Sequence, residues 1–575
     1  MKSIQSRLVP LALVAIALSL SLALTTTHTS AQEAAEEPAD VILINGTVYT
    51  VDSEFSVAEA VAVRGNHIIA VGTTEEIQPL ASPATLLIDL DGRTVIPGLV
   101  DAHAHLFGYA ASLERLDLVG TISAEEIAEM VAAKVQEIEP GAWILGRGWD
   151  QNDWPEQHFP THEILDNAAP YNPVLLGRID GHANWANSAA MEIGGVTRDT
   201  PDPDGGEIIR DAEGNPTGVF IDNAENLIAE HVPEMPRARL KILLARAVRN
   251  CLAVGLVGVH DMGGGPANIA LTRELIDEGN FPFRLYFNLS SHLSNLDELL
   301  AEGTQSYGDG RLSVRSVKAF IDGALGSRGA ALLEPYSDRP ESTGLLMTTP
   351  EELQELTERC LRAGFQVSTH AIGDRGNRIV LDAYEAALEA VPTPDARLRI
   401  EHAQILAPEE IPRFAQIGVL PSMQPTHCTS DFPWALDRLG AERARGAYAW
   451  RSLLDTGVII PCGSDFPVER IDPRLGLYAA VTRRHADGSP ADGYFPEQRM
   501  TREEALKGFT IWAAYAAFAE DERGSLEPGK LADLVVLDRD IMRVPPQEIL
   551  EAVVILTMVD GRIAYRRGAN GSDTE

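Results

Sequence analysis

Two histidines separated by one residue close the run Val100-Asp101-Ala102-His103-Ala104-His105. In an extended strand alternate side chains share a face, so His103 and His105 can grip one ion. Three other apolar runs end in ligands of the same kind: Ser368-Thr369-His370-Ala371, Ile400-Glu401-His402-Ala403 and Gly463-Ser464-Asp465-Phe466. Any one of them alone reads more readily as a structural histidine or a solvated aspartate. As a set they supply the nitrogen and oxygen donors that a hard or borderline divalent ion takes.

Lys318 belongs with this set. The chain has only Lys2, Lys134, Lys241, Lys318, Lys507 and Lys530, and Lys318 lies inside the apolar run Val314-Arg315-Ser316-Val317-Lys318-Ala319-Phe320-Ile321-Asp322. A lysine in an apolar interior is costly unless it is paired or neutralised. Two solutions are open: an ion pair with Asp322 or Asp465, or carboxylation by CO2 to an anionic carbamate able to bridge two ions.

These residues need elements that bring their ends together. Eight strand-like runs alternate with helical patterns: Gly98 to His105, Val257 to Met262, Arg284 to Leu289, Val314 to Asp322, Gln366 to His370, Arg399 to His402, Val419 to Gln424 and Val458 to Asp465. That rhythm predicts an α/β fold, a (β/α)8 TIM-like barrel over 98–523, whose reactive side chains sit at the C-terminal ends of the strands. The roughly 150 residues from His105 to Val257 far exceed a βα loop of about 2 to 6 residues, so an α+β subdomain inserted over 110–235 is expected. Its hairpin would join Gly206–Arg210 to Gly218–Ile221.

Short β runs at both chain ends, 40–97 and 524–567, are each too small to bury a core and are expected to pair as one composite β-sandwich. Asn45-Gly46 and Arg64-Gly65-Asn66 read as hairpin turns within it. Around the barrel mouth Asp150, His182, Asp322 and His427 are the candidate substrate-binding residues. Trp143, Trp149, Trp154 and Trp185 read equally as the insertion's own core.

Across 575 residues, 84 acidic against 47 basic side chains leave a net charge of -37. Such a surface repels phosphate backbones, so no nucleic-acid partner is expected. Lys2 and Arg7, the apolar run Leu8 to Leu24 and the small residues Thr29-Ser30-Ala31 make residues 1–31 a cleavable signal peptide. The product would be exported, periplasmic or secreted, with no stable membrane span after processing. Cys251, Cys360, Cys428 and Cys462 have no framework spacing and read as free thiols.

The ligand pattern resembles the metal-dependent amidohydrolase superfamily. Ile96-Pro97-Gly98-Leu99-Val100-Asp101, Asp180-Gly181-His182-Ala183-Asn184-Trp185-Ala186-Asn187-Ser188 and Gly524-Ser525-Leu526-Glu527-Pro528-Gly529-Lys530-Leu531-Ala532-Asp533 are similar to motifs of its family 3 branch, which includes N-substituted formamide deformylases. The resemblance implies that His103, His105 and Asp465 hold one metal, that His370 and His402 hold another, and that a carbamate on Lys318 bridges them. Zn2+ is the expected cofactor, one or two per chain, with Mn2+ or Fe2+ as substitutes. It further implies a metal-bound hydroxide attacking a small-molecule amide, with Asp465 as catalytic proton carrier. The same site would also suit a lactone, ester or phosphotriester, and a metal-free binding protein of this fold is the rival outside catalysis. Assembly as a homo-oligomer stays open.

Overall fold

The structure is a computed structural model that describes residues 37–568 apart from 234, together with the backbone of the strand Asp573–Thr574. The segment expected to be a cleavable signal peptide, residues 1–31, lies outside the described residues. Among those described, no helix is long and apolar enough to cross a membrane.

Seven parallel strands form the barrel sheet in chain order: Leu99–Ala104, Leu256–Gly264, Arg284–Ser290, Leu312–Phe320, Gln366–Ala371, Arg399–His402 and Leu420–Ser422. The eighth expected strand is not a regular one. It closes the barrel through a parallel bridge between Met423 and Cys462 and through bonds on both sides, Met423 N to Pro461 O (3.0 Å) and Ala102 N to Cys462 O (3.0 Å). Its ladder is interrupted because Pro461 has no N–H to give and because the Ser464 amide donates to the Asp101 carboxylate. Gly463 allows the close approach: a Cβ there would stand 2.5 Å from the His103 nitrogen.

The outer helices follow from their periodicity. In Pro350–Arg362 the buried positions Leu353, Leu356, Thr357, Cys360 and Leu361 form one stripe, and a Thr349/Glu352 capping box starts the helix. That helix leads into the strand Gln366–Ala371, which is buried throughout and delivers His370.

The chain ends meet as expected: Thr94–Pro97 pairs antiparallel with Leu534–Leu537, within a seven-stranded sheet. A second, four-stranded sheet of Val41–Ile44, Ala60–Arg64, His67–Gly72 and Leu86–Asp89 packs on it through Leu43, Val61, Val95, Leu534 and Met558. Arg64-Gly65-Asn66 does turn a hairpin. Asn45-Gly46 does not, contrary to expectation. Val41–Ile44 pairs parallel with Leu86–Asp89 and Thr47–Tyr49 pairs parallel with Thr94–Pro97, so the dipeptide steps the chain from one sheet to the other. Two parallel pairings across the sandwich outweigh the local turn preference.

Between the first two barrel strands, a six-stranded sheet spans Leu116–Asp117 to Pro216–Asp222. Its core holds Trp149, Trp154 and Trp185, and the Trp149 indole donates to Leu176 O at 2.7 Å. Those tryptophans are therefore packing residues.

Candidate metal centre

The strand ends converge as the barrel requires. His103 Nε2 lies 3.4 Å and His105 Nε2 3.1 Å from Asp465 Oδ1. Ligand atoms of His103, His402 and Asp465 lie within 4.8 Å of one another. The His370 ring is 4.6 Å from that of His402, and the His103 ring is 4.7 Å from it on the other side.

Bonds behind the ligands decide which atoms face inward. His103 Nδ1 sits 2.6 Å from Glu401 Oε2, and His402 Nδ1 sits 2.8 Å from Gln424 Oε1. Each ring thus keeps Nε2 for the centre. Asp101 accepts from the Ser464 hydroxyl at 2.6 Å and from the His103 amide at 3.0 Å, tying the eighth segment to the first strand. His402 (φ 74) and Asp465 (φ 63) both adopt left-handed backbone conformations, a strain that concentrates at functional sites.

Among the buried atoms without a hydrogen-bond partner are His103 Nε2, Asp465 Oδ1 and, beside them, His427 Nε2. A lone pair and a carboxylate oxygen left facing each other fit a cation between them. His105 and His402 complete a nitrogen-rich donor set that suits a borderline divalent ion.

Charge is distributed accordingly. Burial opposes ionisation of Asp465, yet His103 and His105 beside it hold its carboxyl well below the usual range. Glu401 is likewise held low, against burial, by Arg399 and His103. Burial brings the Lys318 amine down to about 8. Its Nζ lies 4.9 Å over the Phe320 ring, and no carboxylate forms an ion pair with it among the described residues, so the expected alternative of pairing with Asp322 or Asp465 is not the arrangement found.

A cavity of about 1700 Å3 opens over this centre, lined by the six expected ligands and by Asp150, His182 and His427. His427 Nε2 is 3.9 Å from Asp465 Oδ2, and its ring stacks on His402 at 5.9 Å. His182, from the insertion, approaches the His370 ring to 6.3 Å and bonds Asp222 at 2.7 Å. That bond, against the effect of burial, raises the His182 imidazole to about 9. The Asp150 carboxylate is engaged by Arg178.

Asp322, expected among the substrate-binding residues, is not in the cavity lining. Its fully buried carboxylate accepts the backbone N–H groups of Ala331 (2.8 Å), Ile372 (3.0 Å) and Gly373 (2.8 Å). It holds loops together from behind His370, with its Oδ1 3.7 Å from His370 Nε2.

Residues 86–565 match the profile of the amidohydrolase family. The chain is 36% identical over 540 residues to the protein LONG AFTER FAR-RED 3 of Arabidopsis thaliana, covering 92% of each. It is 33% identical over 548 residues to N-substituted formamide deformylase of Arthrobacter pascens, covering 92% of this chain and 98% of that one. An uncharacterized metal-dependent hydrolase of Pyrococcus horikoshii OT3 superposes with a TM-score of 0.73 at 28% identity, over 88% of this chain and 99% of that one. The chain belongs to the amidohydrolase family. It is a metal-dependent hydrolase of carbon–nitrogen bonds, built on a barrel that brings His103, His402 and Asp465 together as a candidate metal site.

Proposed function

We propose that the substrate is a small linear non-peptide amide, of the kind an N-substituted formamide represents, and that His103, His105, His370, His402, Asp465 and Lys318 hold one or two zinc ions for its hydrolysis. The observation that carries this reading is the pair of buried, unpartnered atoms His103 Nε2 and Asp465 Oδ1, facing each other at 3.4 Å below a substrate-sized cavity. Likeness to the Arthrobacter deformylase supports the choice of bond. Bound there, a divalent ion supplies Lewis acidity toward a carbonyl and toward water.

The remaining work falls to side chains. Asp465 takes a proton from the attacking water and returns it to the departing amine as the C–N bond breaks and the new C–O bond forms. Glu401 and Gln424 keep the His103 and His402 rings oriented. His182 and His427 stand at the cavity edge, where they can hydrogen-bond the substrate. The Lys318 amine, brought toward neutrality by burial, can add to CO2 with loss of a proton, giving the anionic carbamate. Export with removal of residues 1–31 completes the reading.

Elemental analysis of protein purified without chelator, with bicarbonate present, tests the metal. Assay of N-substituted formamides and N-acyl amines beside lactones and phosphotriesters tests the bond. One or two equivalents of zinc with chelator-sensitive amide turnover is the expected result. Turnover confined to lactones or phosphotriesters, or indifferent to chelator, would overturn the proposal.

A further inference from the structure

Arg147 comes from the inserted strand Ile144–Trp149 and lines the same cavity as the metal-site residues. One of its donors is used, Nη2 to Ile179 O at 3.0 Å, while its buried Nε has no partner. No carboxylate forms an ion pair with it among the described residues. Arg178, on the neighbouring strand Val174–Arg178, shows the contrast: it is engaged by Asp150, by Asp180 at 2.5 Å and by Gln151 at 2.8 Å. In a chain with 84 acidic and 47 basic residues, a sheltered guanidinium without an acid is not explained by scarcity of acids.

Leaving a sheltered guanidinium unpaired is costly, and a planar carboxylate is the anion whose geometry matches its fork. Arg147 and Asp465 line the same cavity, and burial lowers the Arg147 pKa against the pull of the Asp465 and Asp180 charges. Gly181 keeps the approach open. It has φ +74, and a Cβ there would stand 3.3 Å from Arg147 Nη2. The next residue, His182, also lines the cavity, with its ring bonded to Asp222 at 2.7 Å. Two other acids of the cavity lining are engaged: Asp431 accepts from Tyr448 at 2.5 Å and Gln404 at 3.1 Å, and Glu469 accepts from Ser430 at 2.5 Å.

We propose that Arg147 anchors a carboxylate subsite, so that the amide cut by this enzyme carries a free carboxylate, as an N-formyl or N-acyl amino acid does. This rests on the hydrolase reading above and narrows its substrate class from neutral formamides to anionic ones.

The test uses two sulfonamide ligands that lack the scissile N-acyl bond, N-methanesulfonyl-phenylalanine and its C-terminal carboxamide, with mass spectrometry confirming that the carboxamide's own C–N bond stays intact during the titration. Each is titrated by calorimetry into the metal-loaded wild type and into Arg147→Gln. The wild type is expected to bind the acid on the order of tenfold to a hundredfold more tightly than the carboxamide, the range set by charged hydrogen bonds. In Arg147→Gln that preference should vanish while carboxamide affinity stays, which also shows that the site is folded. Equal affinities in the wild type, or a preference that survives Arg147→Gln, would overturn the subsite. Should the glutamine variant not fold, Arg147→Lys decides: it keeps the charge without the fork, and an undiminished preference there overturns the anchor. Because neither probe is turned over, the result is independent of which bond the enzyme hydrolyses.

Discussion

His103 Nδ1 and Glu401 Oε2 stand 2.6 Å apart, both fully buried, and this contact sets the direction of the first metal-site ring. Glu401 is itself gripped by Arg399, whose Nε is 2.7 Å from Oε1 and whose Nη2 is 3.1 Å from Oε2. Arg399 also donates to Ala102 O at 2.6 Å and Ser422 Oγ at 2.9 Å. One guanidinium thus links the first, sixth and seventh barrel strands directly beneath the site.

Glu401→Gln should therefore weaken metal binding without removing a ligand. The amide keeps the volume and one hydrogen bond but loses the charge that favours His103 presenting Nε2, and changes of this kind cost about 10- to 100-fold in metal affinity. Competition titration against a chelating dye would measure it. Unchanged affinity would mean that Glu401 serves only the fold. Glu401→Ala is the poorer test, because an unpaired buried Arg399 would cost about 3 to 5 kcal/mol of stability.

Asp465→Asn tests the proton-carrying role, with metal content measured beside it because the same carboxylate is a proposed ligand. Asp465 has φ 63, a conformation that asparagine tolerates and β-branched residues do not, so this variant should fold. Turnover is expected to fall by about 10²- to 10⁴-fold, the usual contribution of a positioned acid–base group. Circular dichroism and metal content would be checked beside kcat. A folded, metal-loaded variant with near-normal kcat would exclude Asp465 as the carrier.

The candidate metal-holding residues His103, His370, His402 and Asp465 could be picked out in the sequence because each stands at or near the end of an apolar run, and the barrel brings those ends to one rim. The supports behind them were not. Glu401 meets His103 across 298 residues and Arg399 meets His260 across 139, so neither contact leaves a local pattern. Glu401, adjacent to His402 in a buried strand, was the one available signal, since an acid there needs a partner. Asn45-Gly46 misled for the opposite reason: its local turn preference is clear, but the sheets flanking it pair elsewhere. The interruption at Pro461 and Gly463 could be anticipated as a weak ladder, though not its closure onto Asp101. Arg147 stands out only through the lack of an ion-pair partner among the described residues, which no linear reading contains.

Lys318 gives a pH-dependent prediction for metal-free protein in bicarbonate-free buffer. Its amine titrates near 8 in the fold against 10.5 ordinarily, so between those values the unfolded chain binds more protons and stability rises with pH. The gain from this group is of the order of 3 kcal/mol across that window. Lys318→Met should be more stable than wild type at pH 7 and lose that part of the slope, as urea unfolding at several pH values would show. It should also bind less metal and lose most turnover while staying folded. Full activity in the methionine variant would remove Lys318 from the site.

Asp322 separates a loop anchor from a substrate contact. Its carboxylate satisfies three buried backbone N–H groups, and each left unpaired costs about 1 to 3 kcal/mol. Asp322→Ala should therefore lower the melting temperature by many degrees, and Asp322→Asn, which keeps one acceptor oxygen, by less. The discriminating measurement is made below the melting transition, where the asparagine variant is still folded. If Asp322 acts only through the loops at Ala331 and Ile372-Gly373, substrates differing at the group that leaves should all lose kcat/KM by one common factor. A loss confined to one of those substrates would return Asp322 to the binding site, against its placement behind His370.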